Sequence, residues 1–133
     1  MSSSDHHLCI VIIDDNARSL EYLSSALAQE GVEIVTASSP MEGLDLVFAL
    51  RPEIVLTDVV MPDITGLEVL ERIKKAGPAT DVWLMSSENG DGTEAEALRK
   101  GAAGFLRKPI PLAFLRQSLG SLIEGHLGLP ELP

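Results

Sequence analysis

A chain of 133 residues is long enough for one domain of ordinary size and too short for two comfortable ones. Apolar residues make up 45%, which supplies a substantial core and excludes wholesale disorder. Ten Lys plus Arg against twenty Asp plus Glu leave a formal charge of −10, a balance that repels nucleic-acid phosphates and anionic membranes, so no direct nucleic-acid or membrane partner is expected.

The elements follow one another regularly. Residues 8–13 form a continuous apolar run, the pattern of a strand buried on both faces. Residues 16–30 carry Ala17, Leu20, Leu23 and Leu27 near helical spacing, and Gly31 is placed to end that helix. A second strand is expected over 32–37. Ser39 then caps a helix that has Pro40 at its first position and an inner stripe of Met41, Leu44, Val47 and Leu50. Residues 53–57 give a third strand ending at Asp58. A third helix over 66–76 turns Leu67, Leu70 and Ile73 inward, and Gly77-Pro78 stops it.

Strand four is expected over 82–85, followed by the polar loop S-S-E-N-G-D-G-T and a helix with little apolar content beyond Ala95 and Leu98. Strand five covers about 103–106. Pro111 opens the last helix, striped with Leu112, Leu115, Leu119, Leu122 and Ile123. Five β-then-α units predict an α/β, doubly wound parallel sheet with helices on both faces. The expected organisation is a flexible segment over 1–7, one domain over 8–124, and a tail or linker stub over 125–133, where G-H-L-G-L-P-E-L-P breaks the helical pattern.

One cysteine excludes a disulfide framework and a Cys-based zinc site, which points to a reducing compartment. No apolar run approaches a membrane span, and residues 1–7 lack the basic-then-apolar pattern of a signal peptide. A cytoplasmic location is therefore expected.

In a doubly wound sheet, ligands bind beyond the carboxyl ends of the strands. Those ends deliver Asp14 and Asp15, Asp58, Ser86 and Ser87, and Lys108 followed by Pro109. Like charges held close raise one another's pKa unless a cation neutralises them. Hard oxygen ligands with room for water and a phosphate suit Mg²⁺ better than zinc. A metal, a carboxylate, a hydroxyl and a lysine together suit phosphoryl transfer, with Asp58 the better nucleophile because Asp14 and Asp15 sit side by side to hold the metal. Neither a Walker lysine motif nor G-x-G-x-x-G occurs, so the chain has no visible means of holding a nucleotide. The plainer alternatives are solvated capping acids for Asp14-Asp15, a strand-end cap for Ser86 and a surface lysine for Lys108. His6, His7 and His126 read as surface residues, Cys9 as a small buried hydrophobe and Trp83 as packing.

The chain resembles the receiver domain of bacterial two-component response regulators, including the chemotaxis regulators, over essentially 8–123. The matching pieces are Asp14-Asp15, D-V-V-M-P-D-I-T-G from Asp58 to Gly66, Ser86, and F-L-R-K-P from Phe105 to Pro109. The resemblance implies a flavodoxin-like sheet of order 2-1-3-4-5 with five helices. It implies that Asp58 accepts phosphate from a sensor histidine kinase or histidine phosphotransfer protein. It also implies that Asp14, Asp15, Asp58 and the Val60 backbone carbonyl ligate Mg²⁺ (or Mn²⁺).

In that family Ser86 would bond a phosphoryl oxygen, Lys108 would pair with the phosphoryl group, and Phe105 would be the switch aromatic. The face made by helix four, strand five and helix five would then bind an effector protein, a covalently linked output domain or a second copy. Lys108-Pro109 is a cis peptide in many receivers. Ser87, Val60 and Glu88 sit at positions that tune phosphate lifetime in relatives. Catalysis would be limited to the domain's own phosphorylation and dephosphorylation.

Two other functions compete. A small Mg²⁺-dependent aspartyl-phosphate phosphatase or phosphotransferase acting on a metabolite lacks an insertion long enough to build a substrate pocket. A flavin binder would need N–H donors where the acidic pair stands. No effector domain fits this length, and a receiver portion of a longer regulator is favoured over a stand-alone protein.

Overall fold

The computed structural model describes residues 8–77, 79–87 and 92–127. His6, His7, Pro78, Glu88 and the tail from residue 128 lie outside the described residues. The elements are β1 (Leu8–Ile13), α1 (Ala17–Leu27), β2 (Val32–Ala37), α2 (Pro40–Leu50), β3 (Ile54–Asp58), α3 (Gly66–Ala76), β4 (Asp81–Ser86), α4 (Thr93–Arg99), β5 (Gly104–Arg107) and α5 (Leu112–Leu127). The five strands pair in parallel in the order β2-β1-β3-β4-β5, as expected.

Strand alternation divides the core into two layers. Leu8, Ile10 and Ile12 of β1 face Leu23 and Leu27 of α1 and Leu115, Leu119 and Ile123 of α5. Val11 and Ile13 face Leu44 and Val47 of α2, Val69, Leu70 and Ile73 of α3, and Ala97 of α4. All six residues of β1 are buried, whereas β2 at the sheet edge is only partly covered. Among the described residues no helix is long and apolar enough to cross a membrane.

Several local expectations are corrected. Helix α1 stops at Leu27, short of the residue 30 expected, because Ala28 turns extended. Gly31 serves the following turn instead: it adopts φ 84°, a left-handed conformation that glycine tolerates, and its carbonyl accepts from Leu8 N. In α2 the buried stripe is Pro40, Gly43, Leu44 and Val47, while Met41 and Leu50 are exposed. Ala17 and Leu112 are likewise exposed in the first turns of their helices. Helix α4 buries Ala97 rather than Leu98. Helix α5 continues through Gly125 to Leu127, past the boundary expected at residue 124, because Leu127 is buried against the second layer.

Caps set several helix starts. The side chains of Asn16, Ser39 and Thr65 accept from the backbone N–H three residues on, at α1, α2 and α3. Gly66 opens α3 where a Cβ would lie 2.2 Å from the Asp58 carbonyl oxygen. That neighbour is backbone and cannot swing away. Gly66→Ala is therefore expected to destabilise the domain by about 3 kcal/mol or more, read by urea denaturation. Unchanged stability would mean that the α3 start has slack the structure does not show.

Candidate functional site

The strand order reverses between β1 and β3, and the crevice beyond their carboxyl ends is where such sheets bind ligands. Asp14 follows β1 and is fully buried; Asp15 beside it is exposed; Asp58 ends β3 with its side chain 13% exposed. One oxygen from each of the three carboxylates lies within 4.8 Å of the others. One buried, one exposed and one half-buried carboxylate gathered so closely form a hard oxygen donor set, which fits Mg²⁺. Asn16 orients the cluster, since its N–H donates to Asp14 Oδ1 at 3.0 Å while its side chain caps α1.

Lys108 reaches the cluster from the loop after β5. Its Nζ lies 2.5 Å from Asp14 Oδ2, 3.5 Å from Asp58 Oδ1 and 3.4 Å from Ser19 Oγ. The loop is held by Lys108 N donating to the Ser86 carbonyl at 2.9 Å, and the Lys108–Pro109 peptide is cis. Ser86 ends β4 and is buried, whereas Ser87 is exposed. Val60 lies in the loop after β3 with an exposed side chain. That loop is pinned by Val59 N donating to the Met85 carbonyl and Gly66 N donating to the Val59 carbonyl, both at 2.8 Å.

Burial pushes Asp58 up to about 6, opposed by the Lys108 ammonium and reinforced by Asp14 and Asp15. Desolvation therefore outweighs the like-charge repulsion that the sequence alone suggested. Asp58 is a carboxylate whose negative charge is poorly compensated by its surroundings. Such an oxygen gains by binding a cation or by forming a bond that disperses its charge.

Phe105 is partly buried against the α2–α3 layer, with the Arg107 guanidinium 5.6 Å from its ring centroid. Arg107 in turn bridges to Glu94 of α4 at 3.2 Å, a link across the least apolar helix that the sequence did not suggest. Tyr22 was missed as well: its hydroxyl donates to the Ile110 carbonyl at 2.7 Å, tying α1 to the loop that carries Lys108. The signal for it was faint, a lone tyrosine four residues after Arg18 on one helix.

His126, Cys9 and Trp83 stay apart from this cluster. His126 Nε2 lies 3.8 Å from Asp81 Oδ2 on the α5 side. Cys9 is buried in β1, and burial with Glu33 and Glu53 nearby raises its thiol to about 11, so it stays protonated. Trp83 packs its ring against the second layer.

Comparison with known proteins agrees with the arrangement. The family model for the response regulator receiver domain matches residues 10–120. The DNA-binding transcriptional regulator NtrC of Rhizobium meliloti is 36% identical over 111 residues, covering 84% of this chain and 23% of that protein. Response regulator MprA of a Mycobacterium species (strain KMS) is 29% identical, covering 86% of this chain and 50% of that protein. The chain thus spans between about a quarter and a half of the length of these curated relatives.

Among solved structures, a response regulator receiver domain protein from Clostridium thermocellum superposes with a TM-score of 0.80. It is 30% identical and covers 89% of this chain and 95% of that one. The signal receiver domain of the putative response regulator NarL from Mycobacterium tuberculosis gives 0.81 at 27% identity, over 90% and 98% of the two chains. With the parallel sheet order, the acidic crevice and the family match over most of its length, the chain belongs to the response regulator receiver domain family of two-component systems.

Proposed function

We propose that Asp58 accepts a phosphoryl group from a phosphohistidine on a sensor histidine kinase or phosphotransfer protein. The observation that carries this reading is the gathering of Asp14, Asp15 and Asp58 within 4.8 Å, with Lys108 Nζ 3.5 Å from Asp58 Oδ1, in a receiver-family chain. Asp14, Asp15, Asp58 and the Val60 carbonyl are the groups that would hold Mg²⁺ (or Mn²⁺). Bound there, the metal would supply positive charge to the phosphoryl oxygens.

An Asp58 carboxylate oxygen forms the new bond to phosphorus as the phosphorus–nitrogen bond to the donor imidazole breaks. The imidazole nitrogen leaves with that electron pair and takes up a proton. Lys108 neutralises charge on the transferred group, and the Ser86 hydroxyl donates to one of its oxygens. As Ser86 turns toward the phosphoryl group, Phe105 follows and the α4–β5–α5 face changes shape. Helix α4 is seven residues long with Ala97 its one buried residue, so moving it disturbs little packing. That face would bind an effector protein, a linked output domain or a second copy, in the cytoplasm. The shift can be no larger than the difference in contacts that the phosphoryl group makes in the two states.

Intact mass and donor consumption after exposure to acetyl phosphate, with and without Mg²⁺, test the reading. The expected result is one phosphoryl group gained only with Mg²⁺, at Asp58 by peptide mapping. Absence of an adduct together with an unconsumed donor, from acetyl phosphate and from a phosphohistidine carrier alike, would overturn it.

A further inference from the structure

Beside the acidic crevice, between α1 and the loop after β5, lies a groove of about 520 Å³. Its lining includes Arg18, Tyr22 and Leu23 from α1 and Lys108, Pro109 and Ile110 from the loop. Lys108 therefore belongs to both the groove and the Asp58 cluster, so the two adjoin at that side chain. The volume falls within the range of small-molecule sites and exceeds what a phosphoryl group alone fills. Apolar walls from Leu23, Pro109 and Ile110 surround an aromatic ring, while Arg18 and Lys108 supply two cations. The Tyr22 hydrogen bond to the Ile110 carbonyl joins the two walls, so the groove is built in advance of any occupant.

We propose that this groove selects a small phosphodonor by its organic part, taking an aromatic or branched acyl phosphate in preference to acetyl phosphate. The inference rests on the reading of Asp58 as phosphoacceptor. The phosphoryl group of the donor lies at Asp58 and its apolar body lies against Tyr22 and Ile110. An Asp58 oxygen bonds to phosphorus as the phosphorus–oxygen bond to the acyl carboxylate breaks. The electron pair leaves on that carboxylate, and no net proton is taken up. Arg18 draws the departing carboxylate of either donor, and the ring of Tyr22 packs on the aromatic body of one. Tyr22 is the specificity-determining residue, away from the bond being made.

Initial rates of phosphorylation of the full chain in Mg²⁺, followed by intact mass, compare benzoyl phosphate with acetyl phosphate. The KM for benzoyl phosphate is expected to be about tenfold lower, through burial of the ring. Tyr22→Ala is expected to remove that advantage, whereas Tyr22→Phe, which loses the same hydrogen bond to Ile110 but keeps the ring, is expected to retain it. Phenylphosphonate, which cannot transfer its phosphorus, is expected to shift the NMR signals of Tyr22 and Ile110 saturably, and methylphosphonate is not. Equal KM values for the two donors in the wild type, or equal losses for both in Tyr22→Ala, would overturn the proposal while leaving Asp58 as acceptor. Silence of Tyr22 and Ile110 toward phenylphosphonate would also overturn it and would assign the groove to a side chain of a protein donor. Failure of every donor to modify the wild type would sink the phosphoacceptor reading and this inference together.

Discussion

Asp58→Asn is expected to take up no phosphoryl group from any donor and, in metal-free buffer at pH 7, to be more stable than the wild type. The first effect follows from the loss of the carboxylate proposed to attack phosphorus. The second follows from the folded environment of Asp58, where burial raises its pKa from 3.8 to about 6. A folded pKa above the unfolded one means that the folded state holds the proton more tightly and that ionisation opposes folding. The opposition is absent below about pH 4, grows as pH rises from 4 to 6, and is complete above 6. Discounted for solvent screening, it amounts to about 1–2 kcal/mol, or several degrees in the unfolding midpoint.

Asparagine has no such charge to bury. The variant's advantage should therefore appear at pH 7 and vanish near pH 4. Mg²⁺ stabilises whatever state binds it, so it should raise the wild-type midpoint and largely fail to raise that of Asp58→Asn. Thermal unfolding at pH 4 and pH 7, with and without EDTA and Mg²⁺, checks all of this. A variant less stable than wild type at pH 7 would mean that Lys108 compensates the Asp58 charge more fully than its 3.5 Å separation implies.

Lys108→Ala should move stability the other way and metal affinity upward. The ammonium is 2.5 Å from Asp14 Oδ2 and 3.5 Å from Asp58 Oδ1, so it competes with any added cation for the same oxygens. Removing it leaves the fully buried Asp14 carboxylate with the Asn16 N–H at Oδ1 and no ammonium at Oδ2. Breaking a buried pair in this way costs on the order of 3 kcal/mol, which should lower the metal-free midpoint without unfolding the domain at room temperature. Mg²⁺ should then bind roughly tenfold more tightly to the variant than to wild type, because it no longer displaces an ammonium. Calorimetric titration with Mg²⁺ reads the affinity directly. The phosphorylated variant should also switch poorly, since the phosphoryl group has lost its cationic partner. Unchanged Mg²⁺ affinity would show that lysine and metal use different faces of the carboxylates.

The two variants separate the contributions to one site. Burial of the Asp58 charge opposes folding of the metal-free domain, and Lys108 offsets part of that charge. Stability stored against the site in this way is a common feature of functional crevices.

Much of this is legible in the chain alone. Six successive apolar residues from Leu8 identify a strand covered on both faces, and the repeated alternation with helices predicts a parallel doubly wound sheet. Strand ends follow from that topology, so Asp14, Asp58, Ser86 and Lys108 could be assigned to one edge from spacing and chain direction alone. The caps at Asn16, Ser39 and Thr65 depend on interactions within one helical turn, and the Ser39 cap was legible for that reason. What escaped the sequence was set by partners distant along the chain. Met41 and Leu50 of α2 are exposed because Pro40, Gly43, Leu44 and Val47 take the buried side, a rotation that only packing on the sheet determines. Leu127 extends α5 past Gly125 because the second apolar layer is there to receive it.

The same division holds at the site. Composition and order gave the kinds of groups present, whereas the balance of charge around Asp58 depended on how deeply β3 buries it and how far Lys108 reaches across 50 residues of chain. The Tyr22 link to Ile110 and the groove beside Lys108 join segments separated by 88 positions, a contact with no local signature. Local rules determined the elements and the identity of the acidic edge. Desolvation and long-range contact, which exist only once the layers have closed, decided what that edge can do.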